Sequence, residues 1–434
     1  MKFQSFDQVM KYMESFTNLE KKTDNYTTRT YRLDRMQAIM KTLGNPQESY
    51  KTIHVAGSKG KGSTASYIAA ALRASGFKTG LYMSPHVSDY RERFTIDGEY
   101  IEDSVLLSVA DKLVCALDGF HFCDELGENQ PTTFELYTAY AFLLFKENNC
   151  SWAVIETGLG GRLDATNILR PQASVLTPIE LEHTDILGPT IEKIAIEKSK
   201  IIKRSVPSFS ALQNPEALCV FKAEASSIGS DFHYLGDYIT DLTEDHIAFK
   251  DGYSWNCRLS MAGLVQAQNC ALALMVIRTL GLYVPSVTEK ALSENKIPGR
   301  MELVPWKRPL YLDGAHTKNS MGYLLETFRK MFPGKDGICI FGAVTGKNHV
   351  DMAHQILGAF DTVVVSRPGT YKVSNPKALY ELLLSIKGPS QTVVLYEDAK
   401  DALSYCLEHT KESEPVLCAG SFYLAGSIKE ALCL

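Results

Sequence analysis

The chain has 434 residues, room for two or three domains, and its 45% hydrophobic and 22% charged residues are those of an ordinary globular protein. A net charge of −5 gives no electrostatic reason to expect nucleic acid or a membrane surface as partner, while leaving room for a local basic site. The ten cysteines form no C-x-x-C pair, which removes zinc-site and thioredoxin-like readings. Cys270 in "NCALALMV" and Cys418 in "PVLCAG" sit in apolar runs, as buried free thiols of a reducing cytoplasm do. The opening "MKFQSFDQVMKYMESF" is amphipathic, carries acids and lacks the apolar centre of a signal peptide. No apolar run approaches the roughly 20 residues of a membrane span. The expectation is a cytoplasmic protein.

Strand-length apolar runs alternate with helix-length amphipathic segments. "KTIHVAG" reads as a strand and "STASYIAAALRASG" as the helix after it; "KTGLYM" is strand again. "TTFELYTAYAFLLFKENN" is a long, mostly apolar helix. "WAVIETG" and "ASVLTPI" are buried strands, and "TIEKIAIEKSKIIK" is a helix. This rhythm predicts an α/β domain with a mostly parallel sheet covered on both faces. Residues about 230 to 258 change to short alternating segments around a "KDG" turn, predicting a small antiparallel patch. The helix "GLVQAQNCALALMVIRTLG" follows. After "IPGRMELV" a second α/β series begins, with strands in "PLYLDGAH", "GICIFGAV", "DTVVVSRP", "QTVVLYED" and "PVLCAGSF". The boundary is placed at 297/298, giving an N-terminal P-loop domain over 1–297 and a C-terminal Rossmann-like domain over 298–434. There is no internal repeat or low-complexity segment.

"IHVAGSKGKGSTA" stands between a strand and a helix, where a phosphate cradle belongs, yet it breaks the pattern G-x-x-x-x-G-K-[ST]. Gly62 follows Lys61, Ser63 comes one place late, and Val55 stands where the first glycine should. The plain alternative is a tight turn with solvent-facing lysines. No G-x-G-x-x-G fingerprint points to NAD. Ser84-Pro85-His86 ends the next strand, at the edge where α/β sheets bind ligands; a Pro-terminated strand with incidental polar residues is the plain alternative. Glu156 ends a buried strand in "WAVIETGLGGRLDATN", where an acid can reach a phosphate-bound Mg²⁺, with Arg162, Asp164 and Asn167 crowded after it. His183 follows a further strand, where it can converge with Ser84 and Glu156; a structural histidine is the alternative. Lys198 lies in a helix, where an ordinary surface lysine is the alternative. Asp313 and His316 in "PLYLDGAHTKNS" mark a corresponding strand end in the second series. The two edges are expected to face each other across a nucleotide cleft.

Taken in order, "HVAGSKGKGST", "LYMSPH", "ETGLGGRLDATN", "IEKSK", "PGR" and "LDGAHT" resemble the folylpolyglutamate synthase / dihydrofolate synthase family, ATP-dependent amide ligases related to the Mur ligases. The resemblance runs from about residue 30 to "GSFYLAGSIKEAL". It implies that Gly60, Lys61, Gly62 and Ser63 hold ATP phosphates, with Asn269, Arg300 and Asp313 also on the nucleotide and His316 beside it. It implies Mg²⁺ at Ser84, Glu156 and His183, and a second Mg²⁺ at a carbamylated Lys198. Lys61, Lys198 and His316 are the catalytic residues on this reading. Thr133, Phe134 and Glu135, with Leu163, Asp164 and Ala165, match the segments that contact the pterin-bearing substrate. The implied partners are dihydropteroate or a reduced folate and L-glutamate, acted on by a monomer.

Ser58-Lys59 replaces the Thr-Asn of many relatives, and Ala315-His316-Thr317-Lys318 replaces Ala-His-Asn-Pro; both resemble the eukaryotic-type enzymes. "PTTFELYTAYAF" and "GLGGRLDATN" look more like the bacterial bifunctional ones. Dihydropteroate and reduced folate therefore both stand as substrates. A Mur-type ligase acting on a UDP-sugar peptide and a non-catalytic P-loop nucleotide-binding protein remain the alternatives.

Overall fold

Continuous apolar runs become strands buried on both faces, and helices cover them. The computed structural model describes residues 2–18, 32–123, 126, 129–334, 337–346 and 348–433; the start of the resemblance, near residue 30, lies outside them. The chain forms two compact units. The first comprises Met1–Pro85, Tyr90–Leu259 and Gln266–Asn295; the second comprises His86–Asp89, Ser260–Val265 and Lys296–Leu434.

The strands of the first unit are β1 (Lys51–Ala56), β2 (Thr79–Tyr82), β3 (Phe94–Ile96), β4 (Glu99–Tyr100), β5 (Trp152–Glu156), β6 (Ala173–Leu176), β7 (Ser208–Ser210) and β8 (Phe232–Tyr234). They form one sheet in the order β4-β3-β2-β5-β1-β6-β7-β8. From β2 to β8 the strands run parallel. β5 is buried at every residue and β1 at all but Lys51, as a sheet covered on both faces requires. β1 lies centrally. The connections reach β2 and β5 on one side of it and β6 to β8 on the other, so the strand order reverses at β1. The carboxyl end of that strand is thus the natural ligand crevice of the unit. Val55 pairs with Glu156, and Ala56 with Leu176, which brings three loops to one level.

Two features differ from the sequence expectation. β3 and β4 add an antiparallel edge to the large sheet. Their turn is Asp97-Gly98, both at positive φ, the dipeptide a tight hairpin favours. Residues 232–234 join the large sheet as its last parallel strand. The antiparallel patch is the shorter set β9 (Ile239–Leu242), β10 (His246–Phe249) and β11 (Ser254–Asn256). Three residues alone carry too little periodicity to tell a parallel edge strand from a hairpin arm.

The long helix Thr133–Glu147 begins with a capping box in which Thr132 and Glu135 satisfy each other's backbone N–H groups. Glu135 also forms a buried two-pronged ion pair with Arg35, Nε to Oε1 at 3.0 Å and Nη2 to Oε2 at 3.1 Å. The same guanidinium donates to Leu126 O and Gln130 O and lies over the Phe122 ring. One buried cation therefore ties the helix start to the segment before it.

The second unit holds β12 (Glu302–Val304), β13 (Leu310–Leu312), β14 (Ile338–Phe341), β15 (Thr362–Val365), β16 (Thr392–Leu395) and β17 (Val416–Ala419). Their order is β12-β13-β17-β14-β15-β16, with β12 antiparallel and the rest parallel. Apolar clusters cover the sheet, one around Phe328, Phe341 and Val365 and another around Leu312, Cys418 and Leu424. Cys270 and Cys418 are buried free thiols. No helix among the described residues is long and apolar enough to cross a membrane.

Removing one partner of the Arg35–Glu135 pair strands the other charge. Arg35→Met is expected to destabilise the protein by about 3–5 kcal/mol in denaturant unfolding, and Arg35→Met combined with Glu135→Leu to recover most of that loss.

Candidate active site

The loop after β1 is shaped by what surrounds it. A Cβ on Gly57 would lie 1.9 Å from Thr177 Oγ1, so only glycine lets β1 and β6 end side by side. Gly60 sits in the left-handed region at φ 79°, and a Cβ there would lie 2.4 Å from Asn269 Oδ1. Asn269 thus packs on the loop from the helix Leu264–Thr279, although it lies more than two hundred residues away in sequence. The backbone N–H groups of Ser58 and Lys59 donate to Pro178 O at 2.9 and 3.1 Å. The helix Lys61–Ala74 then starts with no side-chain cap at Gly60. Its first N–H groups, including those of Gly62 and the buried Ser63, have no partner inside the helix, which suits them to an anion.

Charged groups converge on this loop. Glu156, 4% exposed at the end of β5, accepts from the Ser84 backbone N–H at 3.2 Å and lies 3.9 Å from Lys61 Nζ. A Cβ on Gly62 would be 3.3 Å from Glu156 Oε2, so the carboxylate lies directly against the loop. Lys198 is 1% exposed; its Nζ donates to Gly57 O at 2.7 Å and to Glu182 Oε1 at 3.1 Å. It is no surface lysine. Lys59 Nζ lies 3.5 Å from Glu182 Oε2, so it points into the same cluster. Burial works against the Glu182 carboxylate, but Lys198, Lys61 and Lys59 hold it well below the usual carboxylate range. Burial, with Lys61 and Lys59 adding to it, pushes the Lys198 amine down to about 8 despite Glu182. Glu182 escaped the sequence reading; its signal was its place beside His183, at the exit of the same strand. His183 is exposed and takes a left-handed conformation, φ 48°, at the start of the short helix Thr184–Leu187.

The donor set can be tested against a metal. Among the described residues no three His, Cys, Asp or Glu side chains gather as a preformed cage. What converges is the Glu156 carboxylate on the Ser84 backbone N–H; Thr157, next to Glu156 in the chain, and Thr177, against Gly57, each carry a buried hydroxyl without a hydrogen-bond partner. A sparse, oxygen-rich site fits Mg²⁺, which keeps several waters and takes other ligands from substrate phosphates.

The two segments matched to pterin contacts also meet. A Cβ on Gly158 would lie 2.3 Å from the Phe134 ring, so the ring rests on the loop after β5. Phe134, Leu163 and Ala165 are half-buried. Thr133 Oγ1 donates to Met13 O at 3.0 Å, and Glu135 is committed to Arg35. Asp164 accepts from Leu159 N at 2.8 Å and Thr166 N at 3.0 Å; burial raises its pKa while these bonds lower it. Arg162 pairs with Glu197 at the surface, and Asn167 Oδ1 accepts from Lys203 at 2.7 Å.

In the second unit, Asp313 at the end of β13 accepts from Met301 N at 2.9 Å and Ala315 N at 2.8 Å. Burial raises its pKa, with Arg300 opposing. The Arg300 guanidinium lies 4.4 Å over the Phe422 ring. His316 Nδ1 lies 2.7 Å from Gly314 O. A carbonyl only accepts, so Nδ1 carries a proton.

Comparison with known proteins agrees with this geometry. Residues 55–277 match the Mur ligase middle domain and residues 299–422 the Mur ligase glutamate ligase domain. The dihydrofolate synthase/folylpolyglutamate synthase of Bacillus subtilis is 32% identical over 92% of this chain and 94% of its own. The crystal structure of folylpolyglutamate synthase from Thermotoga maritima superposes with a TM-score of 0.84 at 28% identity, covering 99% of this chain and 96% of that one. Mycobacterium tuberculosis folylpolyglutamate synthase, solved with ADP and AMPPCP, gives 0.83 at 26% identity, covering 92% and 95%. These full-length matches favour the folate branch over a UDP-sugar ligase or a non-catalytic nucleotide binder. The chain belongs to the folylpolyglutamate synthase / dihydrofolate synthase family of Mur ligases and is an ATP-dependent, ADP-forming ligase.

Proposed function

We propose that the enzyme joins L-glutamate to the carboxylate of dihydropteroate or a reduced folate. The observation that carries this reading is the meeting of Lys61, Glu156 and Ser84 at the reversal point of the first sheet, with the Phe134 segment on the adjoining loop.

A carboxylate has no good leaving group. Transfer of the γ-phosphoryl group of ATP to a carboxylate oxygen makes an acyl phosphate and releases ADP. The glutamate amine then attacks the acyl carbon, the amide C–N bond forms, phosphate leaves and the amine sheds a proton. Gly60, Gly62 and Ser63 would hold the phosphates through backbone N–H groups, and Lys61 would neutralise charge on the transferred group. Asn269, Arg300 and Asp313 are assigned to the nucleotide. His316 is assigned to the amine's proton. Thr133, Phe134, Glu135, Leu163, Asp164 and Ala165 are assigned to the pterin-bearing substrate, with Glu135 and Asp164 shaping the surface rather than lending free charge. Mg²⁺, held by Ser84, Glu156 and His183, with a second ion at Lys198, would supply positive charge to the phosphates.

Carbamylation of Lys198 adds CO₂ to its neutral amine, releases a proton and leaves an anion. A burial-lowered lysine suits that reaction, and Lys59 would then remain as the partner of Glu182.

With ATP, Mg²⁺ and L-glutamate, ADP release is expected only when dihydropteroate or tetrahydrofolate is present; no glutamate-dependent release with any pterin overturns the reading. Lys61→Ala should lower kcat by ~10²–10³-fold with its melting temperature little changed. The Lys198 amine is protonated below about pH 8 and neutral above it, so activation by added bicarbonate should strengthen as the pH rises through that value. Full activity in Lys198→Ala would remove the modification from the mechanism.

A further inference from the structure

We propose that His54 is a positioning residue of the ligase reaction. Its ring orients the Thr166 hydroxyl, and through Thr166 it sets the Asp164 segment on which the pterin-bearing substrate rests. The inference builds on the assignment of Leu163–Ala165 to that substrate.

His54 is 0% exposed in the middle of β1, three residues before the glycine that opens the phosphate loop. Its Nε2 lies 2.8 Å from Thr166 Oγ1, in the turn Ala165–Ile168. Thr166 and Asp164 are equally buried, at 0% and 1%. The directions of the bonds follow once Asp164 is taken as the carboxylate that its two backbone N–H bonds favour. The Thr166 hydroxyl donates to Asp164 Oδ1 at 2.5 Å, because the carboxylate, which also takes Thr166 N and Leu159 N, is the acceptor. That hydroxyl has no second proton, so His54 Nε2 must donate to it. Burial, with the Lys203 cation adding to it, pushes the imidazole down to about 3, so the ring is neutral at working pH and holds one N–H. That proton is on Nε2.

The consequence falls on Nδ1, which is buried and without a hydrogen-bond partner. An unpaired buried acceptor is a cost that a leucine of similar volume would avoid. As pure packing, histidine is the poorer choice here. What it adds is a directed N–H that holds the Thr166 hydroxyl on Asp164. Asp164 Oδ2 in turn holds Leu159 N, so the bracing runs along the loop that carries the Phe134 contact. One strand therefore carries the ATP loop at its end and the brace of the other substrate's loop at its centre.

The test is steady-state kinetics, with both KM values measured, on the full-length enzyme with ATP, Mg²⁺, L-glutamate and whichever of dihydropteroate or tetrahydrofolate the wild type turns over. His54→Leu is expected to raise the pterin KM by about tenfold and the ATP KM by no more than about twofold, with a melting temperature within about 3 °C of wild type. Thr166→Val should do the same, and the double variant should be no worse than either single one. His54→Gln, which keeps a donor near the Nε2 position, should restore the pterin KM. An unchanged pterin KM in His54→Leu, an equal rise in both KM values, or no recovery in His54→Gln overturns the proposal while leaving the ligase assignment intact. A wild-type enzyme that turns over neither pterin overturns both.

Discussion

Carboxylates gathered at the carboxyl edge of the large sheet are matched by cations, and the first unit is organised around that pairing. Glu156 and Glu182 sit at the carboxyl edge of the large sheet; Lys61, Lys59 and Lys198 are the cations that meet them. Lys61 and Lys59 come from the phosphate loop, and Lys198 from the helix Ile191–Ser199. These ion pairs therefore also fasten the phosphate loop and that helix to the carboxyl edge of the sheet. On the proposed function, the same charges are the ones a nucleotide would use. The lysines are balanced by the protein's own acids. A triphosphate would compete for those cations without requiring the loop to be built anew.

Glycine placement makes this proximity geometrically possible. Gly57 lies against Thr177, Gly60 against Asn269 and Gly158 under the Phe134 ring, each leaving no space for a Cβ. The backbone thereby comes within reach of groups from β6, from the helix Leu264–Thr279 and from the helix Thr133–Glu147. Asp164 shows the complementary economy: its carboxylate is spent on Leu159 and Thr166, and that keeps the loop in a shape on which neighbouring half-buried residues present themselves.

Much of this was legible from local pattern. The strands from "KTIHVAG" to "PVLCAGSF" were readable because parallel strands are apolar on both faces, and the long helix because of its length and mostly apolar character. Ser84 and Glu156 were singled out because they stand where buried strands stop, and Lys61 because it stands in a glycine loop between a strand and a helix. Less readable were the edges. The strand 232–234 is too short to show a period, and the β3–β4 hairpin hid in a stretch read for its polar residues. Lys198 had an ordinary surface alternative that only its 1% exposure removes.

The sequence by itself determined the alternation of elements, the glycine-rich loop with its displaced hydroxyl, and the strand ends that carry charge. These depend on residues near one another in the chain, where periodicity and turn chemistry act directly. Tertiary structure alone decided which ends meet: that β1 lies between β5 and β6, that Asn269 fills the space beside Gly60, and that Glu182 joins Lys59 to Lys198. It also decided that His54 keeps one nitrogen unpaired while the other holds Thr166. Strand order and the pairing of buried charges are settled by contacts between distant segments, and no local pattern of side chains records which distant partner will arrive.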